Sequence, residues 1–306
     1  MSLTLDKSPS SVAANEPMSP ATHESGALRA TNARTRILMV SPEHFCVRYS
    51  INPWMTSGAA VDCDRAFSQW DELRRALARR ADVAVLPGDV GLPDMCFSAN
   101  AGLVDGATFV PSNFRHAERR PEAALFADWM RSEGFLVREL SPDIVFEGAG
   151  DALFDRDGRL WMGHGQRTDQ CAAAALSGLL NTEVIPLGLI DPRFYHLDTC
   201  FCPLRSGHVV FYPGAFTPQS LDALRRFIPR HLQIPVTRAD AMNFACNMVD
   251  LGDAVVAHHA GPRLRDALRR AGRDVITVDL SEFIKAGGGA KCLTLALGKR
   301  SVVKCN

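Results

Sequence analysis

Four segments of the chain repeat one layout at nearly constant spacing: FSANAGLVDGATFV from Phe97, FEGAGDALFDRDGRLWMG from Phe146, HLDTCFCPLRSGHVVFYP from His196 and FACNMVDLGDAVVAHH from Phe244. Measured between Phe97, Phe146, Leu197 and Phe244, the steps are 49, 51 and 47 residues. Each segment reads as strand, tight turn, strand, with the turn marked by Asp105-Gly106, Asp157-Gly158, Ser206-Gly207 and Gly252-Asp253. Amphipathic stretches separate the hairpins. In RRPEAALFADWMRSEG, Leu125, Trp129 and Met130 share a predicted face, and in TPQSLDALRRFIP, Leu221, Leu224 and Ile228 do. Short strands such as FLVREL, TEVIPL and QIPVTR follow. A similar unit starts at TRILMVSPEHFCVRYSINPW and runs into the helical RAFSQWDELRRALARR, but it lacks one strand of its hairpin. A further step of ~49 residues beyond Phe244 reaches the Cys292 strand, which would supply the missing strand and close a ring. The predicted fold is α/β: a five-bladed α/β propeller of hairpin and helix repeats, residues 35–306 forming a single domain. A doubly wound sheet would place a GxGxxG loop after an early strand, and none is present. The GAG of FEGAGD reads as part of a hairpin strand.

In a propeller, equivalent positions of successive blades converge on the central channel. The predicted inner strands carry Asn100, Glu147 with Asp151, His196 with Asp198, and Asn247, and the last begins at Cys292. A carboxylate, a histidine with an acid two residues on, and a cysteine would therefore meet at one mouth. That set suits a thiol nucleophile, its acid–base partner and a pocket for a cation. Each member also has a plain structural reading. A free cysteine packs as a small hydrophobe, His196 can be a hydrogen-bonded core histidine, and Glu147 and Asp151 can satisfy amides of glycine-rich turns. In HGQRTD, Thr168 or Asp169 can cap a helix, and NFRHAERR, with Arg119 and Arg120, can be a solvated basic loop. Only the conjunction points to chemistry.

Composition narrows the partners. Thirty-four basic against thirty-four acidic residues leave no net field for a polyanion, and no basic run with interleaved aromatics occurs, which argues against nucleic acid. Nine cysteines, odd in number and without a CxxC pair, fit neither a disulfide scaffold nor a zinc ribbon and suit a reducing cytoplasm. His164 and the His258-His259 pair do not give the HxxxH spacing of a zinc hydrolase, so no metal and no cofactor are expected. Residues 1–34, rich in Ser, Ala, Thr and Pro without a continuous apolar core, read as a disordered arm and not a signal peptide. No segment approaches the ~18 uninterrupted apolar residues of a membrane span. Exposed hairpin edges would allow a homodimer.

PDMCFSANAG, FEGAGD, HGQRTD, HLDT and GGGAKCLTL, in this order over about residues 35–300, resemble the guanidino-group modifying enzymes of the pentein superfamily: arginine deiminases, dimethylarginine dimethylaminohydrolases, amidinotransferases and arginine dihydrolases. The five-bladed fold of that family agrees with the repeat. The resemblance implies that Cys292 is the nucleophile, His196 the general acid and base, and Glu147 and Asp198 supporting carboxylates, with Asp151 also near the substrate. It places the grip on a substrate α-carboxylate at Arg115 and Arg167. A guanidinium is a poor electrophile, so such a site needs a thiolate, a proton for the leaving nitrogen and carboxylates that hold the cation. An adjacent imidazolium and the bound cation would favour the thiolate, and the glycines before Cys292 would make room for the flat guanidinium.

Two positions separate the branches. Asn100 stands where deiminases and dimethylarginine hydrolases usually carry Asp, and with the INPWM segment and its Asn52 this resembles the dihydrolase branch, which takes arginine to ornithine, ammonia and CO2. Asp198 matches deiminases and dihydrolases, whereas dimethylarginine enzymes typically carry Lys there. The expected substrate is arginine, with a methylated arginine as the alternative. Citrulline-forming deiminase or dimethylarginine hydrolase, amidinotransferase and a noncatalytic protein-binding propeller are the competing functions.

Overall fold

A computed structural model describes residues 34–299 and Ser2; the expected N-terminal arm, apart from Ser2 and Arg34, and Cys305 lie outside the described residues. The chain opens with β1 (Thr35–Val40), α1 (Cys63–Ala78) and β2 (Ala81–Leu86). Then follow β3 (Gly102–Asp105), β4 (Thr108–Pro111), α2 (Glu122–Ser132) and β5 (Leu136–Val137). The next unit is α3 (Gly148–Asp151), β6 (Ala152–Phe154), β7 (Leu160–His164), α4 (Ala172–Leu180) and β8 (Val184–Gly188). After it come β9 (Phe201–Pro203), β10 (Val209–Phe211), α5 (Pro218–Phe227) and β11 (Gln233–Pro235). The last full unit is α6 (Arg238–Met242), β12 (Val249–Asp250), β13 (Ala254–Ala257), α7 (Pro262–Arg270) and β14 (Asp274–Thr277), before α8 (Ser281–Ile284) and β15 (Leu295–Lys299).

These strands form five sheets of three strands, the blades of the propeller. In each, an antiparallel hairpin is followed by a helix that returns the chain to a third strand parallel to the second, as in β3–β4–β5 and β6–β7–β8. The first sheet is assembled from both ends of the described chain: β15 pairs antiparallel with β1, Leu38 opposite Leu295, and β2 runs parallel to β1. The expected closing strand is thus in place. Gly106, Gly158, Gly207 and Gly252 of the hairpin turns all have positive φ (55°, 82°, 89° and 104°), a conformation that side chains resist and that explains their recurrence.

Helix boundaries follow local chemistry. Asp62 caps α1 by accepting from Arg65 N, Thr217 caps α5 by accepting from Ser220 N, and Pro218 and Pro262 occupy first-turn positions that need no N–H. Two expectations fail here. In α2 the buried face is Glu122, Phe126, Ala127 and Met130, while Leu125 is 40% exposed, because Glu122 is drawn inward by Arg119 and turns the helix with it. Thr168 and Asp169 do not cap a helix; α4 starts at Ala172 without a side-chain cap. The helices cover the sheets' outer flanks, where side chains such as Trp161, Phe126, Leu73 and Leu268 are fully or almost fully buried. Each large apolar side chain so buried contributes roughly 1.5–3 kcal/mol.

Candidate active site

The predicted site residues do not lie on the inner strands. They occupy the short turns that enter those strands at one rim: Asn100 in the turn Ser98–Ala101 before β3, Glu147 and Asp151 at the two ends of α3, His196 and Asp198 around the turn Leu197–Thr199 before β9, and Asn247 before β12. Cys292 lies in the turn before β15. The GAG of FEGAGD is accordingly helical, not strand. Turn residues project inward together because the blade repeat brings the same point of five hairpins to the axis.

Cys292 is 3% exposed. Its sulfur accepts from Asn247 Nδ2 at 3.0 Å and faces Asp198 Oδ2 at 3.4 Å and Oδ1 at 3.6 Å. Asn247 Oδ1 in turn accepts from the backbone N–H of Lys291 (2.9 Å) and Cys292 (3.3 Å), so one amide fixes both the turn and the sulfur. Burial and the neighbouring Asp198 push the Cys292 thiol well up. No hydrogen bond joins His196 to Cys292 among the described residues, and burial lowers His196 to about 4 against the pull of Glu147, which disfavours the imidazolium expected to activate the sulfur.

Glu147 is fully buried, and its ionised form survives burial because Arg167 and His196 surround it, holding the carboxyl well below the usual range. Its Oε2 meets Arg167 Nη1 at 2.8 Å and His196 Nε2 at 2.8 Å, and its Oε1 accepts from Arg115 N at 3.1 Å. An ionised Glu147 requires the imidazole proton on Nε2, which leaves Nδ1 as the basic nitrogen. Thr168 joins the struts: its hydroxyl accepts from Glu147 N (3.1 Å) and donates to Asp151 Oδ2 (2.7 Å). Asp151 Oδ1 accepts from Leu197 N at 3.0 Å, so both its oxygens hold the His196 turn against α3. It does not line the pocket.

A small pocket of about 10 Å³ adjoins the sulfur, lined by Asn52, Asp94, Asn100, Arg119, Arg167, Tyr195 and Cys292 among others. Asn52 is pinned by its Nδ2 to Ala286 O (3.1 Å) and by its Oδ1 to Trp54 N (2.9 Å). Arg167 donates to Ile51 O at 2.8 Å and lies over the Tyr195 ring, 4.9 Å from its centroid. Arg115 is elsewhere: its guanidinium pairs with Asp169 at 2.7 Å with its side chain 39% exposed. Arg119, read from the sequence as solvated, is the second pocket arginine and is 3% exposed. It forks onto Glu122 (2.8 and 2.7 Å) and donates to Asn100 Oδ1 at 2.9 Å. That contact assigns the Asn100 amide: its NH2 faces Glu147 O (3.1 Å) and His196 Nε2 (3.5 Å).

Sequence reasoning also passed over Asp94, although it lies inside PDMCFSANAG. It is 1% exposed, its Oδ2 accepts from Tyr49 OH at 2.9 Å, and its Oδ1 has no partner. An orphaned buried carboxylate oxygen in the pocket that also holds Cys292 is a place prepared for a donor-rich cation. The glycine run has a different use from the one expected. A Cβ on Gly288 would lie 2.2 Å from the Phe97 ring and one on Gly289 2.8 Å from Asn247 Oδ1, so the room belongs to the protein's own side chains. Among the described residues, no group of three or more His, Cys, Asp or Glu side chains could hold a metal ion.

Comparison with known proteins follows the same lines. A family profile described as N,N dimethylarginine dimethylhydrolase, eukaryotic, matches residues 42–298. The bifunctional arginine dihydrolase/ornithine cyclodeaminase ArgZ of Synechocystis is 47% identical over 262 residues, which cover 85% of this chain and 37% of that protein. The chain therefore spans little more than a third of that bifunctional relative. The N(G),N(G)-dimethylarginine dimethylaminohydrolase of Mycobacterium tuberculosis is 39% identical over 88% of both chains. Among solved structures, a variant of the N-terminal domain of ArgZ covalently bonded to a reaction intermediate superposes with a TM-score of 0.85 at 45% identity, covering 87% of this chain and 98% of that one.

Proposed function

We propose that this chain, which belongs to the dimethylarginine dimethylaminohydrolase family of guanidino-group modifying enzymes, is an arginine dihydrolase that forms ornithine, ammonia and CO2 through a covalent adduct on Cys292. Residues 35–306 act in this reading as one catalytic domain. The observation that carries the choice of branch is Asn100 and the direction of its amide.

The substrate guanidinium lies between Asp94 and Asp198, its cation supplying the charge that stabilises a thiolate on Cys292. His196 Nδ1 takes the proton of the Cys292 thiol, the sulfur attacks the guanidinium carbon, that proton passes from His196 to the departing ammonia, and an amidino-thioether remains. Water then adds, giving up its proton to His196. The resulting tetrahedral adduct has two exits. Expelling the sulfur gives citrulline; expelling the second ammonia leaves a thiocarbamate, which a second water hydrolyses to a carbamate that loses CO2 and leaves ornithine. A carboxylate at position 100 would grip the remaining amino nitrogen. The Asn100 NH2, which spends one hydrogen on Glu147 O while Arg119 holds its Oδ1, instead offers its second hydrogen to the oxygen that replaces that nitrogen and favours the second exit. Arg119 and Arg167 are the pocket cations available for the α-carboxylate, with Arg167 retaining more donors free of protein partners.

Purified protein incubated with arginine should release ornithine and two ammonia per arginine. Citrulline with one ammonia would overturn the dihydrolase assignment, and turnover confined to methylated arginines would move the chain to the dimethylarginine branch. Cys292→Ser should abolish turnover with an unchanged thermal transition, whereas a noncatalytic binding propeller would show no turnover to lose. No helix of the described residues is long and apolar enough to cross a membrane. A cytoplasmic location and a homodimer belong to the same reading, the latter checked by light scattering.

A further inference from the structure

Asn247, in the turn before β12, is fully buried, and its amide uses every hydrogen bond it can make. Its Oδ1 accepts from the backbone N–H of Lys291 at 2.9 Å and of Cys292 at 3.3 Å. Two donors on that atom fix it as the oxygen, so the NH2 faces the other way, with one hydrogen on Asp198 O at 3.1 Å and one on the Cys292 sulfur at 3.0 Å. The repeat places this side chain twice. Asn100 and Asn247 each stand three residues after a blade's anchor, Phe97 and Phe244, and each donates at 3.1 Å to a carbonyl one residue past the anchor of a blade next to it in sequence, Glu147 O after Phe146 and Asp198 O after Leu197. One hydrogen of each amide thus ties two blades together and leaves the second for the site. At Asn247 that second hydrogen lies on the nucleophile. Gly289 makes room for the arrangement, since a Cβ there would lie 2.8 Å from Asn247 Oδ1.

We propose that Asn247 is a catalytic residue, its Nδ2 the fixed donor that holds the Cys292 sulfur as a thiolate when it attacks and again when it is expelled. The proposal rests on the guanidine-hydrolase reading for the reaction, though not for the state of the sulfur. In the thiol form the S–H donates to Asp198, 3.4 Å from Oδ2 and 3.6 Å from Oδ1. Once His196 has taken that proton, the carboxylate only repels the sulfur. The Asn247 N–H keeps its place and grows stronger, because its acceptor now carries the charge. The titratable and charged groups around the sulfur are Asp198, Tyr195 and His196 in and beside the turn before β9, Lys291 next to it in sequence, and Asp94, Arg119 and Arg167 on the pocket wall; among the described residues none of these side chains donates to it. Burial first and Asp198 next push the thiol up, and the Gly289 backbone and the Asn247 side chain oppose them.

The test uses two substitutions. Asn247→Asp keeps an oxygen for the Lys291 and Cys292 N–H groups and puts an acceptor where the donor was, while Gly289→Ala keeps the asparagine and crowds its Oδ1. Asn247 does not line the substrate pocket, so in a Cys292→Ser background Asn247→Asp should leave arginine affinity within about threefold by calorimetry, while in the active enzyme it lowers kcat on the order of 10²–10³-fold. Without substrate, iodoacetamide at pH 9 should alkylate Cys292 at least about threefold more slowly in Asn247→Asp, read by peptide mass spectrometry against the exposed Cys63, because each tenfold loss of thiolate returns only about threefold in nucleophilicity. Gly289→Ala should move kcat and alkylation in the same directions, and it decides the matter if Asn247→Asp does not fold. A side chain that merely pinned the turn would, once altered, expose Cys292 and speed its alkylation. Alkylation at an equal or higher rate, or kcat within about threefold of the unaltered protein, would overturn the proposal. If the unaltered protein turned over no guanidine, the functional reading would fall while the alkylation comparison still decided this one.

Discussion

At the scale of single residues, the surroundings of Cys292 favour the thiol over the thiolate. Cys292 faces a carboxylate at 3.4 Å, and the histidine held by Glu147 is neutral, so no standing positive charge sits against the sulfur. In the proposed reaction the stabilising cation arrives with the substrate, which would tie thiolate formation to occupancy. Iodoacetamide should therefore modify the exposed Cys63 and Cys171 well before Cys292 when no substrate is present, as read by peptide mass spectrometry. Preferential labelling of Cys292 in the empty enzyme would reveal a standing thiolate and contradict this picture. The two carboxylates were unequally visible in the sequence. Asp198 stood beside a histidine in a repeat position, whereas Asp94 precedes the repeat's anchor Phe97 and gave no periodic signal.

At the scale of elements, α2 shows how a catalytic orientation is set from outside the pocket. Glu122, 0% exposed, belongs to the helix's first turn, and its fork with Arg119 places the guanidinium that turns the Asn100 amide. Removing one partner of a buried pair strands the other charge. Glu122→Ala should cost about 3–5 kcal/mol in denaturant unfolding, and Arg119→Met with Glu122→Leu together should cost less than Glu122→Ala alone. A loss within ±0.5 kcal/mol for the single change would mean that the pair is not coupled to the fold. Helical periodicity selected Leu125, Trp129 and Met130 as the buried face because it scores apolar residues only; a buried acid rotates the helix and is invisible to that criterion. The same blindness assigned Arg119 to solvent. The turn residues were placed on strands for a related reason: period and hairpin glycines locate a blade, but one helical turn at its entry adds no alternation of its own.

At the scale of the whole molecule, the spacing of the hairpins was enough to anticipate five blades and the closing strand, because a period is a property of the chain that survives divergence of every individual residue. Closure then couples stability to catalysis. β1 is among the most buried strands, with Ile37, Leu38, Met39 and Val40 at 0–1% exposure, and its partner on one side is β15, three residues after Cys292. A chain ending at Thr294 would keep every residue of the site yet leave that buried strand with an unpaired edge and strip Leu295 and Leu297 from the core. Because inner strands meet around one axis, the defect is not confined to its own blade: the turn that carries Cys292 would lose the strand it leads into, and with it the Ala99 N to Cys292 O bond at 3.0 Å that ties it to the Asn100 turn. Such a chain should show no cooperative thermal transition by circular dichroism and should be cleaved rapidly by protease. A truncated chain that still unfolded cooperatively would show that four blades and a half suffice, and that closure serves the nucleophile alone.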